Sequence, residues 1–213
     1  MRPDVRNDFA TSARLRLADA TRHLLDSVLT TEDITDDELA TAADAVEAIA
    51  DRLHGDAASG SRPVGRRKRS EGHFDFLVRS PIVGPVNPLA PPLTWDRDDG
   101  RIVATGRFGA AYEGPPGYVH GGWVALSFDE VLGMANIANE TPGMTGKLVI
   151  RYRRPTPLFT DVRFESWTDR IEGRRIHTRG TLHVGDQLLA EAEGLFVAIT
   201  REVADRYFGQ AER

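Results

Sequence analysis

His120, Gly121 and Gly122 stand where a turn-rich stretch gives way to a long apolar one, and Asp129 follows nine residues after the histidine. Glycine lets a bound group approach the backbone closely. The first N–H groups of a helix have no intrahelical partner and lie at its positive end. A His-Gly-Gly opening is therefore a ready-made site for a developing oxyanion; the plainer reading is a tight turn. The His120 ring either holds this loop, hydrogen-bonds a bound carbonyl, or is a structural histidine satisfied by backbone groups. Asp129 has Ala125, Leu126, Leu132 and Gly133 as its helical neighbours, none of them charged. A carboxylate on an apolar face costs free energy unless it is used or paired. Glu130 points about 100° away around the helix and reads as a polar residue at the sheet opening.

Other chemistries are excluded. The sequence has no GxSxG elbow, P-loop or GxGxxG. With no cysteine it can form no disulfide, iron–sulfur cluster, thiolate zinc site or cysteine nucleophile, and it fits a reducing, cytoplasmic setting. Its six histidines lack ligand spacing; His177 and His183 share a strand face but lie about 20 Å apart. No metal is expected. No apolar run is long enough to span a membrane, and the N-terminal stretch lacks the apolar core of a secretory signal. The chain has 213 residues and a net charge of −5, which argues against a nucleic-acid-coating protein.

The elements that must position these residues follow from periodicity. Residues 1–55 hold six Lys/Arg against twelve Asp/Glu and read as two helices. The first carries Phe9, Ala13, Leu17, Leu24, Leu25 and Val28; the second opens with the capping pair Thr35/Glu38 and carries a stripe from Leu39 to Leu53. This head is expected to dock on a larger body. Holding no candidate catalytic group, it is also expected to be dispensable for activity. Residues 56–72, with the run Arg66-Arg67-Lys68-Arg69, read as a flexible basic linker. Residues 73–213 form the main domain. Five prolines between positions 80 and 93 demand an ordered extended loop. Arg101–Phe108 reads as a strand. The stretch from Gly122 to Asn139 is a helix apolar on nearly every side, which belongs at the centre of a fold. Lys147–Arg153, Val162–Ile171, Ile176–Val184 and Gln187–Ile199 alternate as strands joined by short turns, an antiparallel meander. The α+β solution is a long antiparallel sheet wrapped around one central helix, with an N-terminal helical extension.

HGGWVALSFDE followed by TGKLVIRYRRPTPL resembles the hotdog-fold acyl-CoA thioesterases, the PaaI-like group and the human thioesterase superfamily members in particular, over residues 80–199. The resemblance implies a hotdog domain that hydrolyses acyl-CoA to free acid and coenzyme A. It places the catalytic acid, as base or nucleophile, at Asp129. It gives Thr145, sixteen residues on, the task of orienting the water or the acid. One departure stands out: Gly114-Pro115-Pro116-Gly117 occupies a region where some members carry a polar amide. Coenzyme A, bound only as part of the substrate, carries phosphates, and Lys147, Arg151, Arg153 and Arg154 are the cations expected to meet them; otherwise they are a solvated sheet face. Trp123, Phe128 and Met134 are either acyl-tunnel or core residues.

Two alternatives remain. Val86-Asn87-Pro88-Leu89 partly matches a hydratase signature, but Ala90 replaces the histidine expected next. A non-catalytic acyl-CoA sensor would give the basic run an anionic partner, against the acidity of the head. Asp129 also lies too far along the helix from Gly121 to share a carbonyl with it within one chain. The expected state is thus a homodimer, or two such dimers paired into a tetramer, as in the similar thioesterases.

Overall fold

The computed structural model describes residues 11–54 and 77–200; the basic run at 66–69 and Phe9 lie outside them. Two helices, α1 (Ser12–Thr30) and α2 (Asp36–His54), precede a six-stranded sheet and one long helix, α3 (Gly121–Ala138). The strands are β1 (Thr94–Asp98), β2 (Arg101–Gly106), β3 (Gly143–Tyr152), β4 (Val162–Glu172), β5 (Arg175–Val184) and β6 (Gln187–Ala198). Their order is β1-β2-β4-β5-β6-β3, and every neighbouring pair is antiparallel. This is the expected meander around one helix, with one strand more than the sequence reading. β1 was missed because three of its five residues, Asp96, Arg97 and Asp98, are charged, which leaves Trp95 as its one large apolar side chain and no alternation. Its turn is Asp99-Gly100, both with positive φ, the two-residue hairpin geometry that Asp-Gly favours; the sequence reading passed over it.

Helix α3 lies on the sheet because its apolar residues have nowhere cheaper to go. Phe128, Val131, Leu132 and Ala135 are fully buried, against Phe164 and Phe196 from the strands. Burying each large side chain contributes roughly 1.5–3 kcal/mol. Phe128 and Phe164 meet edge to face at 5.2 Å, and Phe108 joins Phe164 at 6.5 Å. Gly180 and Gly194 leave room for Leu132: a Cβ at either would come within 3.2 Å of its methyls. Phe128 and Met134 are therefore core residues, while Trp123 is partly buried against Tyr112. The helix is not covered all round, as its composition implied. Gly122 and Leu126 are exposed and Asp129 and Gly133 are half-buried, and these four share one face.

The head docks differently from the expectation. The stripe Leu17, Leu24 and Val28 is exposed, and the buried residue of α1 is Ala18. Alongside it, Arg22 donates to three main-chain carbonyls of the proline-rich loop: Nε to Ala90 at 3.1 Å, Nη2 to Pro85 at 3.1 Å and to Asn87 at 3.0 Å. One turn on, Asp26 accepts from the N–H of Ala111 at 3.4 Å. Helix α2 begins with the capping box: Thr35 N–H donates to Glu38 Oε2 at 2.9 Å and Glu38 N–H to Thr35 Oγ1 at 3.3 Å. Every residue from 36 to 53 is exposed, so α2 does not dock.

Candidate functional site

His120 is the N-cap of α3, and its Nδ1 accepts from the N–H of Gly122 at 3.0 Å. That bond separates the two glycines. The Gly122 N–H is occupied by the cap, whereas the Gly121 N–H has no partner among the described residues. The free donor at the positive end of the helix is therefore Gly121. The His120 ring holds the loop. Gly114 is needed beneath it, since a Cβ there would stand 2.7 Å from the His120 Cα. The Gly-Pro-Pro-Gly segment is thus a structural turn, closed by Gly114 N–H on Tyr118 O at 2.9 Å.

Tyr152, at the end of β3, fixes the other side of this opening. Its hydroxyl donates to Gly121 O at 2.7 Å. A shallow cleft of about 310 Å³ lies here, bounded by Gly121, Val124, Tyr152, Arg153, Arg154 and Thr156. Arg153 pairs with Glu191 at 2.6 Å, while Arg154 makes no ion pair among the described residues. Of the four expected cations, Arg153 and Arg154 border the cleft; Lys147 and Arg151 alternate with the core-packed Leu148 and Ile150 and face away from the helix, and Arg153 reaches Glu191, the register partner of Arg151, on that same face.

Asp129 and Thr145 come together. Thr145 Oγ1 donates to Asp129 Oδ1 at 2.7 Å. The cause is local: β3 and β6 shift register between Thr145 and Lys147, leaving Gly146 as an extra residue. Such a bulge turns the strand and re-aims the side chain beside it. The second acid is more deeply set than the sequence suggested. The Glu130 carboxyl is raised above its usual range, first by burial, with Asp129 adding a smaller push and a hydrogen bond from Ser80 opposing both. Ser80 Oγ already accepts from Ile82 and Val83 N–H at 3.1 and 3.3 Å, so its own proton is available for Glu130.

Asn87, in the hydratase-like stretch, is spent on its own loop: Nδ2 donates to Arg79 O at 3.1 Å and Oδ1 accepts from Leu89 N–H at 3.0 Å. Sequence reasoning missed Tyr152, Ser80, Arg22 and the bulge. Only the bulge had a signal, the glycine inside a strand pattern.

The crystal structure of protein RHA08564, a thioesterase superfamily protein, matches 87% of this chain and 91% of its own with a TM-score of 0.75 and 35% identity. The chain belongs to the thioesterase superfamily. Residues 116–191 match the thioesterase superfamily family model, a span that holds the His-Gly-Gly opening, Asp129 and Thr145. Among curated relatives, acyl-coenzyme A thioesterase THEM4 of Mus musculus is 34% identical over 112 residues, 52% of this chain and 48% of that protein. THEM4 of Xenopus laevis is 32% identical over 109 residues, 50% and 49%. The chain spans about half the length of these thioesterases. The fold is the hotdog arrangement of the superfamily, one long helix held by an antiparallel sheet. No helix among the described residues is long and apolar enough to cross a membrane.

Proposed function

We propose that this thioesterase hydrolyses an acyl-CoA thioester to a carboxylic acid and coenzyme A. The observation that carries the reading is the Asp129–Thr145 pair on the uncovered face of a helix whose first N–H, that of Gly121, is free. Thr145 occupies Asp129 Oδ1 and leaves Oδ2 for a water. Asp129 takes a proton from that water as the oxygen attacks the thioester carbonyl. The carbonyl oxygen becomes an oxyanion against the Gly121 N–H and the helix terminus. The tetrahedral adduct collapses, the C–S bond breaks, and the departing thiolate takes up the proton held by Asp129. Arg154, with Arg153, receives coenzyme A phosphate at the cleft rim.

The two halves of this site belong to different chains. Eight residues of helix separate Gly121 from Asp129, about 12 Å at 1.5 Å per residue, and one carbonyl group must lie roughly 3 Å from both. β3 is an edge strand, and Met144, Val149 and Tyr152 on it are about half exposed. A long exposed apolar edge invites another strand. Pairing β3 with its copy around a two-fold axis sets the two α3 helices antiparallel. That carries each Asp129 towards the other chain's Gly121.

Release of free thiol from short, medium, long and aromatic acyl-CoAs tests the reading. The expected result is turnover of at least one class, reduced about 10²–10⁴-fold by Asp129→Asn. No thiol release from any of them, with folded protein, rejects the reading.

A further inference from the structure

The head leaves a second surface without a function in this reaction. Leu39, Val46, Ile49 and Leu53 of α2 are 41–63% exposed, on a helix whose described residues, 36 to 53, are all exposed. Soluble monomers rarely leave such an apolar stripe uncovered. The spacing is that of a heptad seam. Leu39, Val46 and Leu53 fall at a, and Ala42 and Ile49 at d. The flanking positions are unusual for so acidic a helix. Ala43 and Ala50 at e and Ala45 at g are small and neutral, and Asp37, Asp44, Glu47 and Asp51 lie at b and f, away from the seam.

We infer that the apolar face of α2 packs against α2 of a second copy of this chain, antiparallel, about a two-fold axis at Ala45. Charge selects the second copy and its direction. In the antiparallel register Glu38 at g faces Arg52 at g of the other chain, twice per pair, and Ala45 faces itself. Glu38 uses Oε2 in its capping box, leaving Oε1 for the arginine. A parallel pair would stack Asp36, Asp37 and Glu38 of both chains at one end; the antiparallel pair separates these clusters by the helix length, about 28 Å. The layers also complement. Leu39 meets Ile49, and Val46 meets Ala42, so large residues oppose small ones in the central layers. Four such layers fall short of the roughly 1,200 Å² of a free-standing interface, so the seam adds to another contact between the chains by raised local concentration. The inference rests on no catalytic assignment.

Because the chain has no cysteine, a single engineered thiol reports the register in the full-length protein. Ala45→Cys places it on the axis, and Ala48→Cys places it on the opposite face. With a short bis-maleimide at micromolar protein, the Ala45→Cys chain should convert to covalent dimers while Ala48→Cys stays at background. Adding Val46→Asp to Ala45→Cys should abolish linking. Adding Arg52→Glu should weaken it through Glu38 facing a like charge, and a further Glu38→Arg should restore it. Linking at position 45 no faster than at 48, or unchanged by Val46→Asp, overturns the inference and shows that a different surface or partner covers α2.

Discussion

Thr145 Oγ1 lies 2.7 Å from Asp129 Oδ1, joining the edge strand to the central helix at the one acid of that helix's uncovered face. The bond is worth about 1.5–3 kcal/mol as a hydrogen bond to a charged group. If it orients Asp129 for attack, Thr145→Ala lowers kcat roughly 10–100-fold while Thr145→Ser keeps most of it. Steady-state thiol release measures both. Equal losses in the two variants would point to the Thr145 methyl, and so to packing.

Glu130 gives a pH signature in stability. Burial lifts its carboxyl above the ordinary value of 4.5, so the fold binds its proton more tightly than the unfolded chain does. A raised acid leaves the fold unburdened below that ordinary value and costs stability as pH rises through the folded value. Glu130→Gln removes this slope. Thermal unfolding from pH 4 to 7 should therefore show the variant gaining on the wild type as pH rises, with activity largely kept. A constant difference in Tm contradicts the burial of the charged form.

Arg22 makes α1 part of the domain. Its guanidinium serves carbonyls 63 to 68 residues away, in the loop whose Ser80 meets Glu130. Leu89 of that loop accepts from the Tyr112 hydroxyl at 3.1 Å, and the Tyr112 carbonyl accepts from His120 N–H at 2.9 Å. Deleting α1 is therefore predicted to cost the domain stability, a separate matter from the expectation that the head carries no catalytic group. Urea denaturation should show Arg22→Ala destabilised by about 2–3 kcal/mol, with Arg16→Ala, on the exposed side, within roughly 0.5 kcal/mol of wild type. A loss in Arg22→Ala as small as in Arg16→Ala would mean that the three carbonyls are equally well served by water.

What was legible in the sequence was whatever a period or a turn residue encodes. α3, β4, β5 and β6 were read to within a residue or two, because the apolar period switches from helical to alternate beyond the turn at 139–143, and Gly173 and Gly185 mark the hairpins; β3 begins at Gly143, four residues before the alternation read from Lys147. The Thr35/Glu38 box was equally plain. The site was only half legible. Asp129 announced itself as a charge among apolar neighbours, but Thr145 came through family resemblance, since a bulge at Gly146 decides where that side chain goes. Gly121 could not be told from Gly122, because the choice depends on which N–H the His120 ring takes. Arg22 was out of reach: its partners are main-chain carbonyls, which carry no sequence signal.

The claim that one site takes its donor from one chain and its acid from the other is tested by complementation. Gly121→Pro removes the free N–H at the first helical position, where proline is tolerated. His120 before it has ψ 130, suited to a following proline. Its Cβ would meet the Tyr152 ring at an ordinary 3.6 Å. Asp129→Asn removes the base. Each variant alone should be nearly inactive. Unfolded together and refolded in equal amounts, half of the dimers are mixed, and each mixed dimer has one site damaged twice and one intact. About a quarter of wild-type thiol release should return. Activity that stays at the level of the single variants, with mixed dimers shown to have formed, would contradict the shared site.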